Sequence, residues 1–257
     1  MVSCWPVVDH LYWREIKAKI IHSSKELKNT YSKEKEIVED KSSRRPLKVR
    51  SSTYAQRVAK WLSNKNITPN TISLLSVLFA ACSAICLVLL PLSSGPLIWL
   101  LPLLAATCIQ FRLLCNLFDG MVAMEGGKST ASGELFNDMP DRFADAFVIV
   151  AVGYALPQFS YAVDIAWCAA ILAIMTAYVR TLATSTGAPA NFCGPMAKQH
   201  RMALLTFACI FTAIEPLFWQ QGAVLYTSLL IISVGSFITV CKRAILAYQY
   251  LEDKHDV

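Results

Sequence analysis

Six long apolar stretches follow one another between residues 71 and 244, and short polar segments separate them. A helix needs about 20 mostly apolar residues to cross a bilayer core of about 30 Å. The pattern therefore predicts an all-α membrane protein with six transmembrane helices. A transmembrane barrel is disfavoured because its strands would be short and alternating. The predicted spans are 71–91, 97–118, 134–155, 163–183, 201–218 and 222–244.

The chain before the first span is polar, and its second part has the pattern of a helix that lies on a membrane surface. Residues 53–64 place apolar side chains on one face and polar ones on the other, which is typical of an interfacial juxtamembrane helix. That apolar face comprises Tyr54, Val58, Trp61 and Leu62. Thr68 and Pro69 provide a cap and a first helical residue for the span that follows. We expect a charged N-terminal arm at 1–50, a six-helix membrane domain at 51–247 and a tail at 248–257.

Composition agrees with a membrane protein, and the basic residues orient it. The chain is 55% hydrophobic and 16% charged, whereas about a quarter of the residues are charged in a soluble domain. Fourteen of the 24 basic residues lie within residues 1–60, and none lies in the loops 92–96, 156–163 and 216–222. The positive-inside rule therefore predicts that both termini are cytoplasmic. The net charge of +6 suits the anionic inner leaflet, and nucleic acid is not an expected partner.

Polar residues gather where the second and third predicted spans meet at their cytoplasmic ends. Asn116 and Asp119 are one turn apart, and Asn137, Asp141 and Asp145 follow at i, i+4 and i+8 on one helical face. Ionisable groups in a membrane span are costly and are therefore functional candidates. Carboxylates that are brought together repel unless a cation neutralises them, and oxygen ligands select hard divalent ions. The pattern predicts a metal site for a membrane-borne substrate that carries phosphate.

The same segment resembles the signature of the CDP-alcohol phosphatidyltransferase superfamily, D-x2-D-G-x2-A-R-x8-G-x3-D-x3-D. Every spacing of that signature is kept in this chain. The T-P-N-x-I sequence at 68–72 is also common in that family. The matching positions are Asn116, Asp119, Gly120, Ala123, Met124, Gly133, Asn137 and Asp141. The resemblance covers residues 50–245 and implies a six-helix enzyme that makes phospholipids at the membrane.

The resemblance implies a role for each matched position. A phosphatidyl group would pass from a CDP-diacylglycerol-like donor to an alcohol acceptor, with or without a phosphate of its own, and CMP would leave. Mg²⁺ or Mn²⁺ would be held by Asn116, Asp119, Asn137 and Asp141, with Asp141 as the general base. The donor would contact Asp119, Gly120, Ala123 and Gly133. The acceptor would meet the basic residues Arg180, Lys198 and Arg201.

Three positions depart from the signature and keep a second interpretation open. The first and third family aspartates are Asn116 and Asn137, and the family arginine is Met124. Two carboxylates would balance one divalent ion better than two. The alternative is a catalytically degenerate member that binds CDP-lipid or scaffolds other membrane enzymes. A small transporter is disfavoured because the polar residues gather at one membrane face.

The resemblance also bears on location and assembly. A bacterial cytoplasmic membrane is favoured over an organelle membrane for this multi-pass protein. Dimers are common among members of the superfamily, so a homodimer is an option that the resemblance leaves open. The nine cysteines show no metal-binding spacing and lie mostly in apolar runs, where cysteine packs as a small hydrophobic residue.

Overall fold

Helices account for nearly all of the chain that the structure covers. The computed structural model describes residues 52–65, 67–125 and 133–255, with side chains described in these ranges except at 123–137 and 255. The predicted N-terminal arm at 1–50 lies outside the described residues. The α-helices in the described ranges are α1 (Thr53–Asn64), α2 (Pro69–Leu89), α3 (Leu97–Glu125), α4 (Gly133–Tyr154), α5 (Ala162–Ser185), α6 (Lys198–Ile214) and α7 (Ala223–His255). Short 3₁₀ turns at Leu90–Leu92 and Glu215–Leu217 extend α2 and α6.

The fold confirms the prediction of an all-α membrane protein. Five helices, α2, α3, α5, α6 and α7, are long and apolar enough to cross a membrane. The predicted span at 134–155 coincides with α4, whose 22 residues are long enough to cross a bilayer core at 1.5 Å per residue. Five charged residues gather in its N-terminal part. These are Glu134, Asp138, Asp141, Arg142 and Asp145. No strand occurs in the described ranges.

Side-chain caps fix where α2 and α7 begin. The Thr68 hydroxyl accepts a hydrogen bond from the Thr71 amide at 3.3 Å, and Pro69 is the first residue of α2, as the sequence predicts. Glu215, at the other end of the bundle, is only 1% exposed. Its carboxylate accepts hydrogen bonds from the amides of Gly222 and Val224, both at 2.6 Å. It thereby satisfies donors that the first turn of α7 leaves without helical partners.

Small residues let the helices of the bundle approach closely, as is usual in membrane proteins. Six alanines of α5 between Ala162 and Ala177 are buried. A Cβ placed on Gly153 of α4 would lie 2.6 Å from the Ala166 Cβ, so only glycine fits at that crossing. Large apolar side chains lie on the outer surface instead, for example Leu78, Ile171 and Val234. This arrangement suits a lipid environment.

Helix α1 lies against the end of α3 that carries the signature residues. Ala55 and Ala59 are buried in a small apolar cluster with Cys115 and Val122 of α3. Tyr54 and Trp61 remain 79% and 58% exposed. The helix thus packs on the bundle through its alanines and leaves its aromatic side chains free, which is the arrangement that an interfacial helix needs.

Candidate active site

A cavity of about 440 Å³ opens between α3, α4, α5, α6 and α7. Its polar lining combines oxygen groups with a surplus of cations. The charged and amide side chains that line it include Asn116, Asp138, Asp141, Arg180, Lys198 and Arg201. All three residues predicted to bind the acceptor, Arg180, Lys198 and Arg201, therefore lie on the wall of the same cavity as Asp141. Their role in binding an acceptor stays a prediction.

Two serines of α2 hold the first half of the signature. The Ser73 hydroxyl donates to Asp119 Oδ2 at 2.9 Å, and the Ser76 hydroxyl donates to Asn116 Oδ1 at 2.9 Å. The other oxygen of Asp119 accepts from the Gly120 amide at 2.5 Å. Both signature residues on α3 are therefore oriented by α2. The serines were not among the predicted site residues, although their spacing of three residues in an apolar span places them on one helical face.

Three cations from two helices, α3 and α6, surround the second half of the signature. Asp141 on α4 receives the Lys198 ammonium at Oδ2 and Arg112 Nη2 at Oδ1, the latter at 3.5 Å. Asp145, one turn further along α4, receives Arg112 at Oδ1 and Arg201 Nη2 at Oδ2, the latter at 3.3 Å. All these groups are buried or nearly so. Buried charges persist only when they are paired in this way.

Arg112 is a component of the site that the sequence analysis missed. Its side chain is 0% exposed and lies inside the bundle on α3. Through its Nη2 atom it bridges two carboxylates of α4, those of Asp141 and Asp145. An arginine four residues before Asn116 in an apolar helix was the available signal, because such a residue requires a buried partner.

Both halves of the signature reach the same cavity. Asn116 of α3 and Asp141 of α4 line it, and Asp119 lies one turn beyond Asn116. Arg112 of α3 spans the gap to Asp141 and Asp145 of α4. The structure therefore brings Asn116 and Asp141 to one cavity wall, and their role as metal ligands stays a prediction. The side chains of Asn137, Ala123 and Gly133, which the sequence assigned to metal and donor, lie outside the described residues.

The carboxylates of the site would hold a hard divalent ion only together with a neutral oxygen ligand. Among the described residues, no three His, Cys, Asp or Glu side chains gather around one point. Asn116 would supply that neutral oxygen. Its Nδ2 atom is buried without a partner, and turning the amide by 180° places an oxygen there. Ser76 would then accept from the amide nitrogen, because a hydroxyl both donates and accepts.

The segment between α5 and α6 is held firmly, and this fixes Lys198 at the cavity wall. Arg243 of α7 donates to the carbonyls of Thr176 at 2.6 Å and Cys193 at 3.0 Å. Gly194 has a φ of +121°, and a Cβ there would lie 2.5 Å from Thr239 Cγ2. The Met196 amide donates to Thr239 Oγ1 at 3.0 Å. These contacts bind the segment to α7 immediately before α6 begins.

Arg201 and Arg180 occupy different environments in the cavity wall. Arg201 is 1% exposed and donates to the Met196 carbonyl at 2.9 Å and to Asp145. Arg180 is partly exposed, lies 3.5 Å from an Asp138 carboxylate oxygen and has the Phe192 ring 5.2 Å from its guanidinium carbon. Arg201 therefore has a clear structural role in the bundle, whereas Arg180 is the more exposed of the two side chains at the cavity wall.

Comparison with known proteins agrees with the site. The model of the CDP-alcohol phosphatidyltransferase family matches residues 66–240. Inner membrane protein YnbA of Escherichia coli (strain K12) is 25% identical over 186 residues, which cover 72% of this chain and 88% of YnbA.

Solved structures of phosphatidylinositol phosphate synthase (PgsA1) from Mycobacterium tuberculosis share the fold. The structure with CDP-DAG bound has a TM-score of 0.62 and 19% identity, and the match covers 77% of this chain and 94% of PgsA1. The complex with manganese and citrate has a TM-score of 0.63 and 16% identity, with coverage of 76% and 88%. Because the family model spans more than half of the sequence, the chain belongs to the CDP-alcohol phosphatidyltransferase family.

Proposed function

We propose that this protein transfers a phosphatidyl group from CDP-diacylglycerol to an alcohol acceptor and releases CMP. The observation that carries the proposal is that Asn116 on α3 and Asp141 on α4 line one cation-rich cavity, with Asp119 one helical turn from Asn116. Family membership and the bound CDP-DAG in a PgsA1 structure of the same fold support the choice of donor. The proposed metal is Mg²⁺ or Mn²⁺, since PgsA1 was also solved with manganese.

The proposed roles in metal and donor binding follow the signature. Asn116, Asp119, Asn137 and Asp141 would hold the ion, and its charge would neutralise the diphosphate of the donor. Gly120, Ala123 and Gly133 would let the nucleotide approach the backbone. Ser73 orients Asp119 for this task, since it fixes one carboxylate oxygen by a hydrogen bond. Phosphoryl transfer relies mainly on such positioning and on stabilisation of charge.

The chemical step would use Asp141 as general base. The acceptor hydroxyl oxygen attacks the lipid-proximal phosphorus, and its proton passes to an Asp141 carboxylate oxygen. A new oxygen–phosphorus bond forms while the bond to the CMP oxygen breaks, so that CMP leaves with the electron pair. Arg180 and Lys198 at the cavity wall would bind an acceptor phosphate, for which arginine is well suited. A phosphorylated alcohol is therefore the favoured acceptor class.

The proposed setting is a bacterial cytoplasmic membrane with both termini in the cytoplasm. The apolar helices and the inner-membrane relative support an integral membrane protein. The proposed orientation places the cavity at the cytoplasmic face, where a water-soluble acceptor can enter. The proposed domain boundaries remain 1–50, 51–247 and 248–257, and a homodimer is compatible with the fold.

A second candidate function is binding of CDP-lipid without turnover. It is favoured by the ion pairs on Asp141, because Lys198 and Arg112 already occupy the carboxylate oxygens that a general base would use to accept a proton. The asparagines at 116 and 137, which replace family aspartates, also favour this alternative. Under this alternative the protein would bind a CDP-lipid and release no CMP with any acceptor.

Radiolabelled CDP-diacylglycerol with a panel of phosphorylated and plain alcohols tests the proposal. We expect label transfer that requires a divalent ion and that Asp119→Asn and Asp141→Asn each reduce by at least about 100-fold. Asp164→Asn is the matched control, because Asp164 is an exposed carboxylate in the first turn of α5. Nucleotide-lipid binding without CMP release across the whole panel would establish the second candidate.

A further inference from the structure

Lys198 is the first residue of α6, and its ammonium contacts Asp141 Oδ2. Contacts of the preceding backbone fix the position of Lys198. Arg201 anchors the preceding backbone at the Met196 carbonyl, and Thr239 anchors the Met196 amide. The Lys198 side chain is 24% exposed, so it lies mostly within the protein. The fold thus delivers one ammonium group to the carboxylate that the signature assigns to the metal.

The other two cations near Asp141, Arg112 and Arg201, form their closer ion pairs with Asp145. Arg112 lies 3.5 Å from Asp141 but makes its closer contact with Asp145. Arg201 also pairs with Asp145. Lys198 is therefore the main counter-charge of Asp141 in the described part of the chain. Among the described residues, Asp119 on α3 accepts from the Ser73 hydroxyl and the Gly120 amide, and from no cation.

We propose that the Lys198 ammonium is an internal cation that competes with a divalent ion for the Asp141 carboxylate. The inference rests on the proposed function, because it concerns the metal of that reaction. A fixed positive charge at the carboxylate repels a second cation and occupies one of its oxygens. The same ammonium compensates Asp141 when no metal is close. Two of the four signature aspartates are asparagine in this chain. The site therefore carries less negative charge, and an ammonium group together with less metal charge can neutralise it.

The test measures Mn²⁺ binding directly, without turnover. The purified full-length protein in detergent is titrated with Mn²⁺, and free Mn²⁺ is quantified by its electron paramagnetic resonance signal. We expect Lys198→Met to tighten Mn²⁺ binding by about tenfold or more relative to the unmodified protein. Lys198→Gln serves as a second variant in case the methionine disturbs folding, and both are checked for an unchanged thermal transition.

Two further variants assign the effect to Asp141. Arg180→Met removes a cation from the same cavity that pairs with Asp138 instead, so Mn²⁺ affinity should stay within about twofold. Adding Asp141→Asn to Lys198→Met should abolish the gain. Unchanged or weaker Mn²⁺ binding by folded Lys198→Met and Lys198→Gln would overturn the inference. If the Lys198 variants bind Mn²⁺ more tightly while the unmodified protein transfers no label, the inference stands and the proposed function is rejected.

Discussion

Replacement of Asp145 by asparagine tests the buried ion cluster on α4. The variant keeps the size of the side chain and removes its charge. Asp145 is 2% exposed, and each of its oxygens accepts from a buried guanidinium, one from Arg112 and one from Arg201. Asp145→Asn therefore leaves two buried cations with weakened compensation. Removing one partner from such a cluster costs about 3–5 kcal/mol.

Asp138→Asn is the matched control on the same helix. The Asp138 side chain is 50% exposed, and its ion pairs with Arg142 and Arg180 lie at 2.5 and 3.5 Å. Because water screens exposed pairs, the same substitution there should cost about 0–1 kcal/mol. Two identical changes on α4 should thus differ by about 2–5 kcal/mol in the free energy of unfolding, by the difference between buried and exposed pairs.

Thermal unfolding in a mild detergent measures this difference. At roughly 2–4 °C per kcal/mol for a chain of this size, Asp145→Asn should lower the midpoint by about 6 °C or more. Asp138→Asn should lower it by no more than about 4 °C. Equal midpoints for the two variants would refute the argument that Asp145 holds the two guanidinium groups inside the bundle.

Two smaller perturbations test other contacts of the site. Ser73→Ala removes the hydroxyl that orients Asp119 and should lower label transfer by roughly tenfold with little change in the unfolding midpoint; unchanged transfer would show that α2 does not position this carboxylate. Gly194→Ala adds a Cβ at φ +121° against Thr239 and should destabilise the protein by about 3 kcal/mol. Gly95→Ala, at φ +60° in open space, should cost only about 1–2 kcal/mol, and equal thermal shifts would contradict the close approach.

Much of the fold could be predicted from the sequence because local runs of apolar residues, with polar segments between them, mark most of the helices. The predicted span at 134–155 differs from α4 by one residue at each end. The boundaries that differ more have a tertiary cause. The span predicted to end at 118 continues to Glu125, since α1 and α2 cover the polar end of α3. The last helix runs to His255, where no apolar run signals its end.

The signature spacing also placed the principal oxygens of the site, Asn116, Asp119 and Asp141, on two facing helices. Their partners were harder to find, because a contact between helices leaves no trace in local periodicity. Arg112 is 29 residues from Asp141 and 33 from Asp145. Ser73 is 46 residues from Asp119. An arginine and a serine in apolar runs signal only that a partner exists, and packing decides which one it is.

A structure of the protein with Mn²⁺ and CDP-diacylglycerol tests the central claim most directly. Anomalous scattering would locate the ion independently of the protein atoms. We expect one peak between α3 and α4, with oxygens of Asp119 and Asp141 at about 2.0–2.6 Å and the donor diphosphate on the same ion. An ion bound elsewhere, or a diphosphate that binds away from these two carboxylates, would contradict the account.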